Sequence, residues 1–236
     1  MKDVGKPAIG KITSGLAPDT LALETIDFVY TQLPAWRDDP YRLNEQSENK
    51  LNLQLCKFLD SYARNSFPMV RFDHEEYQTG RSSVDISASP VADTNLEAIF
   101  YSTRYNPIIV FECKRLPTPS HSREKEYVTG GTKHKKGGIQ RFKLGLHGAK
   151  HDIAAMIGYL QEGSASDWHD KVNKWIAELS SGTIPDVCLW NISEMLDKLE
   201  VDSSKGIANC RSTHNRIGSV KSNQILIRHL WIAMHL

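Results

Sequence analysis

The segment Pro107–Arg115 carries the strongest strand signal in the sequence and constrains the fold more than any other segment does. A β-branched and aromatic run follows a proline there, and such residues favour extended backbone. Because alternate side chains of a strand share a face, Glu112 and Lys114 point the same way as Ile108 and Val110. Burying these charges would be costly, so the pattern predicts that they open onto a polar cleft. The alternative is a surface ion pair at a strand end, which contributes little energy.

Apolar residues at helical spacing precede this strand. Residues 1–18 show no periodicity, and a first helix is predicted to follow Asp19 and to break at Ala35–Tyr41. A second helix is predicted over Asn44–Arg64. Its apolar stripe consists of Leu51, Leu55, Phe58, Leu59 and Tyr62.

From Phe67 onward the apolar period changes to two, which predicts strands separated by a turn at Thr79-Gly80. The segment His151–Leu160 fits a buried strand or a short helix. The strand is favoured, because a Gly- and Ser-containing break and a clear helix follow it. Further strands are predicted over Met69–Phe72, Ser83–Ala88 and Asn223–Met234, and a Gly- and Lys-rich loop over Thr129–Gly138. Helical segments are predicted over Ile139–Gly145, Asp167–Ser180 and Ile192–Leu199. The pattern predicts one α/β domain with helices packed on a mixed sheet.

The formal net charge is only +1, but the charges are unevenly distributed. From Arg104 to Lys150 the sequence has 11 basic and three acidic residues, a formal charge of +8 that leaves −7 for the rest of the chain. The low total excludes bulk electrostatic binding of a polyanion, whereas the local excess indicates one face that contacts nucleic acid. A solvated loop and helix face is the alternative explanation of the same cluster.

The cysteine pattern and the hydropathy exclude two other classes of protein. Four cysteines occur without a Cys-x-x-Cys pair, so a Cys-rich zinc site is excluded and reduced structural thiols are expected. No stretch approaches the roughly 18 apolar residues of a membrane helix, and the N-terminus has no apolar signal region. The chain is therefore expected to be cytoplasmic, with no membrane partner.

Asp85 supplies a third charged position beside the Glu112 strand. On its own strand it is predicted to share a face with Ser83 and Ser87, while Val84 and Ile86 face the other way. If the two strands are neighbours, Asp85 and Glu112 converge closely enough to hold one hard divalent cation. Mg²⁺ prefers oxygen ligands and usually takes one or two carboxylates from a protein. Lys114 would orient or deprotonate a nucleophilic water there, helped by a pKa lowered near the metal.

The ordered set of Asp85, 26 intervening residues and Glu112-Cys113-Lys114 resembles the PD-(D/E)XK nuclease superfamily. Val84 stands where the proline of that name would be, and Pro185-Asp186 lies in the wrong order to replace it. The resemblance implies a single domain over residues 1–236. Its restriction-endonuclease-like core, a central mixed β-sheet flanked by helices, would span about 44–160, and residues 161–236 would add a helical and strand elaboration.

Two further positions match what the resemblance implies about a site. Many members carry a glutamate on the helix before the Asp strand, and Glu48 is in line with the apolar stripe of the second helix. A favourable helix N-terminus is the alternative explanation of Glu48, and Glu45 is the neighbour that could serve instead. Members also place a Gln or a basic residue on the helix after the Glu-x-Lys strand, where Gln140 and Arg141 lie.

The resemblance therefore implies a Mg²⁺-dependent endonuclease that hydrolyses phosphodiester bonds of DNA, of the restriction or anti-phage defence type, with Mn²⁺ as a substitute cation. The expected catalytic residues are Asp85, Glu112 and Lys114, and the expected metal ligands are Glu48, Asp85 and Glu112. The residues expected to bind nucleic acid are Lys133, Lys135, Lys136, Gln140, Arg141 and Lys143. One alternative is a catalytically inactive nuclease-like fold that binds nucleic acid or a protein, and another is a structural subunit. Since one site cuts one strand, a homodimer or a larger defence assembly is the expected partner state for double-strand cleavage.

The remaining candidates are interpreted more simply. His147 and His151 have the i, i+4 spacing of a metal pair but lack the glutamate of zinc proteases, so they are interpreted as facing nucleic acid or as incidental. His229 alternates with apolar residues on the final strand, which predicts a hydrogen-bonded structural role. The tryptophans predicted to be in the core are Trp168, Trp175 and Trp190.

Overall fold

The structure is a computed structural model that describes residues 19–78, 82–91, 94–96, 100–102 and 105–235. Three features of the sequence lie outside these residues. They are the N-terminal stretch 1–18, the predicted turn at Thr79-Gly80 and the start of the basic segment at Arg104.

Seven strands form one mixed β-sheet, which contains both the predicted catalytic strand and the C-terminal strands. Across the sheet the order is β1 (Val70–Tyr77), β2 (Ser83–Pro90), β5 (Ile109–Leu116), β6 (Ile153–Leu160), β9 (Gln224–Ala233), β8 (Ile207–Asn215) and β7 (Glu200–Asp202). The pairs β5–β6 and β6–β9 are parallel, and the other pairs are antiparallel. Two short strands, β3 (Thr94–Leu96) and β4 (Phe100–Ser102), pair with each other apart from this sheet.

Helices cover both faces of the sheet, as the predicted α/β class requires. On one face α1 (Thr20–Arg37) and α2 (Glu48–Ser66) pack against the sheet through one apolar core. The other face is covered by the 3₁₀ helix His121–Tyr127, α3 (Gly138–Lys143) and α4 (Ala165–Ser180), through a second core. A short 3₁₀ turn, Ile192–Glu194, precedes β7.

Strand β6 shows why the sequence forms this layered arrangement. All eight of its residues are buried. Successive side chains alternate between the two cores, with Ala155 and Ile157 in one and Ala154 and Met156 in the other. A strand that is apolar on both faces is stable only with helices on both sides, and this fits its parallel neighbours.

Most predicted elements are confirmed, and one is wrong. The segment His151–Leu160 contains the strand β6, and the final strand is β9. The predicted helix Ile192–Leu199 is wrong, since only a three-residue 3₁₀ turn forms before the chain extends. The side chain of Asn173 explains the early end, because it binds both the N–H and the carbonyl of Leu196.

The tryptophans predicted to be in the core and the four cysteines are all buried. Trp168, Trp175 and Trp190 are buried in the core beneath α4. All four cysteines are free and buried, as expected for structural thiols. In the part of the chain that the structure describes, no helix has both the length and the apolar character needed to cross a bilayer.

Candidate active site

Glu112 and Lys114 lie near the C-terminal end of β5, at the centre of a cluster of charged side chains. The Glu112 side chain is completely buried, and that of Lys114 is only 10% exposed. The Nζ atom of Lys114 lies 3.0 Å from Oε1 of Glu112. The alternative of a surface ion pair at a strand end is therefore wrong, and so is the prediction that both charges open onto a polar cleft, because this pair is in the interior.

Two more groups contact the Glu112 carboxylate from the segment after β5. Arg141 of α3 donates from Nη1 to Oε1 at 2.7 Å. The Nδ1 atom of His147 lies 3.0 Å from Oε2, although the two atoms are not aligned as in a regular hydrogen bond. Burial alone would raise the pKa of Glu112, but Lys114, His147 and Arg141 outweigh it and hold this pKa well below its usual range. Glu112 is therefore an ionised carboxylate.

Glu48, the first residue of α2, reaches the same cluster from the opposite layer. Its Oε1 accepts a hydrogen bond from Nζ of Lys114 at 3.2 Å, and its Oε2 accepts one from the backbone N–H of Arg115 at 2.8 Å. Glu45, the alternative considered from the sequence, instead pairs with Lys50 at 2.9 Å on the surface. Between the two glutamates, the structure brings only Glu48 into contact with the cluster residues described above.

Asp85 joins the cluster through the backbone of β5. Its Oδ2 accepts a hydrogen bond from the N–H of Cys113 at 2.7 Å, between the two charged residues of the Glu-x-Lys pattern. Burial, and then the negative charge of Glu112, raise the pKa of Asp85 to about 7. Two acidic side chains that share one buried region, with one of them close to protonation, form an environment that favours a cation.

A change of face in β2 positions Asp85. The predicted alternation places Val84 and Ile86 on one face, and this is wrong because they pack into the two different cores on opposite faces of the sheet. Opposite Asp85 on β1 lies Glu75, whose φ of 56° is in the left-handed region. The paired residues of β2 and β5 end at Ile86 and Phe111, and beyond them the Asp85 side chain accepts the hydrogen bond from β5.

The Lys114 ammonium is surrounded by negative charge. Burial would lower its pKa, but the negative charges of Glu112, Glu48 and Asp85 outweigh burial and raise this pKa above its usual range. A protonated ammonium donates hydrogen bonds and cannot accept a proton. In this arrangement Lys114 is a hydrogen-bond donor that can orient a reactant, and the predicted lowering of its pKa beside a bound cation stays a prediction.

The carboxylates of the cluster suit a hard cation in their donor chemistry. Oε2 of Glu112 is a buried oxygen without an aligned hydrogen bond, and Asp85 adds a second carboxylate. Mg²⁺ usually takes one or two protein carboxylates and keeps several waters. Over the described ranges, no three His, Cys, Asp or Glu side chains are grouped to hold a metal ion. The residues thus fit a Mg²⁺ site of two carboxylates, and Glu48 is held by Lys114 and by the backbone instead.

The residues predicted to bind nucleic acid divide into exposed and buried groups. Lys133, Lys135 and Lys136 are exposed on the loop that precedes α3. Gln140 and Lys143 are buried, at 0% and 1% exposure, so the prediction that they bind nucleic acid is wrong. Arg141, between them in sequence, is about one quarter exposed and bound to Glu112.

Gln140 and Lys143 have structural roles instead. The side chain of Gln140 accepts hydrogen bonds from the backbone N–H groups of Gly130 and Gly137, and it donates to Asp186. It therefore ties together the two ends of the lysine-bearing loop. Lys143 forms a buried ion pair with Glu194, with N–O distances of 2.6 and 2.7 Å.

The lysine-bearing loop lies close to the charged cluster. Glu126 pairs with Arg123 at 2.7 Å on the 3₁₀ helix after β5. Burial opposes ionisation of Glu126, but Arg123, Lys114 and Lys136 together lower its pKa. Lys136 of the loop and Lys114 of the cluster therefore both act electrostatically on the same carboxylate.

The histidines gave one confirmed prediction and one wrong one. His229 is buried between the hydroxyl groups of Tyr127 and Ser212, at 2.7 and 2.8 Å, as predicted for a structural histidine. His147 is completely buried against Glu112, so the interpretation that it faces nucleic acid is wrong. The sequence signal used for His147 was its spacing to His151, whereas the turn that positions it lies between Gly145 and Gly148, both of which have positive φ.

Comparisons with known proteins identify no relative. A scan against protein-family models, a search of curated proteins and a search of solved structures each found no match.

Proposed function

We propose that this protein is a Mg²⁺-dependent nuclease of the PD-(D/E)XK type, with a restriction-endonuclease-like core, which hydrolyses phosphodiester bonds of DNA. One observation carries the proposal. Charged side chains from α2, β2, β5 and α3 meet around Glu112 and Lys114, in the order helix, strand, strand, helix that the superfamily pattern requires. A cluster of buried, strongly perturbed charges is typical of a functional site.

The proposed role of each side chain in the cluster follows from its charge. Asp85 and Glu112 would hold Mg²⁺, which when bound polarises a phosphodiester and makes nearby water more acidic. Lys114 is protonated, so it would donate to a phosphate oxygen or orient the attacking water. Glu48 holds Lys114 in place, and Arg141 compensates the charge of Glu112.

The loop before α3 would bind the nucleic acid backbone. Lys133, Lys135 and Lys136 are exposed, and among the described residues none of them has a carboxylate partner within ion-pair distance. Free lysines neutralise phosphates without reading base sequence. Because Gln140 ties the ends of this loop together, the three ammonium groups are presented from a fixed base close to the cluster.

A second candidate is a nuclease-like protein that binds nucleic acid without cutting it. The observation that favours it is that Lys114, Arg141 and His147 already contact the Glu112 carboxylate and balance its negative charge without a metal ion. Restriction or anti-phage defence in the cytoplasm is the setting proposed for the active form. Cleavage of both strands of a duplex would then require a homodimer or a larger assembly.

The test is cleavage of plasmid, linear, single-stranded DNA and RNA in Mg²⁺, Mn²⁺ or EDTA. Glu112→Ala and Lys114→Ala should abolish metal-dependent cleavage and leave nucleic acid binding largely intact. Glu48→Gln should slow cleavage by about 10- to 100-fold, because it releases Lys114. Glu45→Gln is the matched control and should cleave at the wild-type rate.

The outcomes separate the candidates. Cleavage that is lost in EDTA and in the Glu112 and Lys114 variants supports the nuclease. Salt-sensitive binding without cleavage supports the binding protein. Equal cleavage by wild type and both alanine variants refutes the assigned site.

A further inference from the structure

His147 links Glu112 to a serine on the far side of its ring. Its Nε2 lies 2.7 Å from Oγ of Ser82, just before β2, while its Nδ1 lies 3.0 Å from Oε2 of Glu112. The ring is completely buried, so these contacts are not made by a mobile surface side chain. His147 thus spans the space between β2 and the central carboxylate of the proposed active site.

The local backbone fixes the position of this ring. Gly145 and Gly148 adopt positive φ values of 65° and 58°, which side-chain-bearing residues rarely adopt. The N–H of His147 donates to the carbonyl of Arg141 at 3.3 Å, so one short segment supplies both the arginine and the histidine. The ring of Phe142 meets the imidazole edge-on, at 6.0 Å between centroids.

The hydrogen-bonding capacity of the neighbours determines the tautomer. A carboxylate accepts hydrogen bonds, whereas a serine hydroxyl can donate or accept. In a neutral imidazole the proton therefore belongs on Nδ1, which faces the carboxylate. Nε2 can then accept from the hydroxyl of Ser82, which is compatible with this tautomer.

We propose that His147 is a positioning residue that orients the Glu112 carboxylate for cation binding, with Ser82 anchoring the opposite edge of the imidazole. Lys114 and Arg141 both contact Oε1, which leaves Oε2 as the oxygen available to a cation, and His147 is the group beside it. Residues that contact a metal ligand, without contacting the metal themselves, commonly set the metal affinity of a site. The inference rests on the proposed metal-dependent function.

The experiment measures direct Mn²⁺ binding by electron paramagnetic resonance and by titration calorimetry, so that it does not depend on cleavage. His147→Gln places its amide near the Nε2 position and keeps a partner for Ser82 while losing the one for Glu112. His147→Asn places its amide near the Nδ1 position and keeps a donor for Glu112. The His147→Gln variant should weaken Mn²⁺ binding by about 10- to 100-fold, and His147→Asn by no more than about threefold.

Kinetics and stability provide the complementary readouts. The Mg²⁺ concentration for half-maximal cleavage should rise in His147→Gln, while KM for DNA stays unchanged. Thermal unfolding of both variants establishes that they are folded at the assay temperature. A role in packing alone would change stability and leave Mn²⁺ affinity equal in the two variants.

Each outcome has a defined meaning. Equal Mn²⁺ affinity in wild type and His147→Gln overturns the inference, and so does an equal loss in both variants. Wild-type protein that binds no Mn²⁺ refutes the proposed metal site itself, and the inference with it. Ser82→Ala should still cleave DNA; if it binds Mn²⁺ normally but cleaves nothing, Ser82 is itself a reacting group and the positioning role is wrong.

Discussion

Replacing Lys143 by methionine is expected to destabilise the protein without affecting nucleic acid binding by the folded molecule. The Lys143 ammonium is enclosed by both carboxylate oxygens of Glu194, at 2.6 and 2.7 Å, and by the carbonyl of Asn215 at 3.1 Å. The ring of Trp190 lies 4.7 Å from the same nitrogen. Methionine fills the space but leaves the Glu194 charge buried without its partner.

Two estimates of the magnitude agree. Breaking a buried ion pair by removing one partner costs about 3–5 kcal/mol. Burial opposes ionisation of Glu194, but hydrogen bonds from His214 and Lys143 outweigh it and lower the pKa from 4.5 to about 2. A shift of that size corresponds to roughly 3 kcal/mol of folded-state stabilisation at neutral pH, which Lys143 shares with His214 and the backbone N–H of Asn215. Either value is a large part of the total stability of an ordinary domain.

The loss of stability in Lys143→Met is expected to depend on pH. Because the pKa of Glu194 is depressed in the folded state, its contribution is complete above pH 4.5 and is lost as the pH falls toward 2. The difference in unfolding free energy between wild type and Lys143→Met should therefore be largest at pH 7 and shrink below pH 4.5.

Urea unfolding followed by tryptophan fluorescence, at pH 7 and at pH 3, measures both quantities. A difference below about 1 kcal/mol at pH 7, or one that is equal at the two pH values, would refute the reasoning. DNA affinity, measured at low temperature where the variant is folded, should match wild type. Reduced DNA affinity with unchanged stability would instead restore the surface role that the sequence suggested for Lys143.

Two other perturbations test the nucleic acid surface and the core. Changing Lys133, Lys135 and Lys136 together to alanine should reduce the slope of log affinity for duplex DNA against log salt by about 2.7, since each lysine would release about 0.9 of a counterion. The control changes three exposed lysines elsewhere, Lys57, Lys174 and Lys198, and an equal effect of both variants would contradict a localised surface. Gly158→Ala places a methyl group 2.4 Å from Cδ1 of the buried Trp231, so urea unfolding should show a loss of about 1–3 kcal/mol, and unchanged stability would contradict the packing described.

The part of the candidate site that could be predicted follows from local patterns. Glu48 was found because helical spacing puts it in line with Leu51 and Leu55, and its carboxylate does contact Lys114. Glu112 and Lys114 were found because two charges interrupt an apolar strand. Such signals need only the period of one helix or strand, which the sequence contains.

The burial of Lys143, the strand β8 and the position of His147 could not be predicted, because they depend on contacts between distant segments. Lys143 looked like one more surface lysine, and only Glu194, 51 residues away, makes its burial tolerable. Strand β8 was not predicted because its buried Ser212 and His214 are polar, and they are stable inside through their bond to each other at 2.7 Å. The turn that brings His147 to Glu112 likewise requires packing that no local period encodes.

The order of the strands has a consequence for how the protein is made. Strand β6 lies between β5 and β9, and residues 161–223 are synthesised after β6 before β9 begins. Until Gln224–Ala233 leaves the ribosome, one edge of an entirely apolar strand has no hydrogen-bonding partner. Unpaired edges of this type promote aggregation during folding. The sheet that carries Glu112 therefore becomes complete only when β9 inserts, and until then the nascent chain exposes an edge of its most apolar strand.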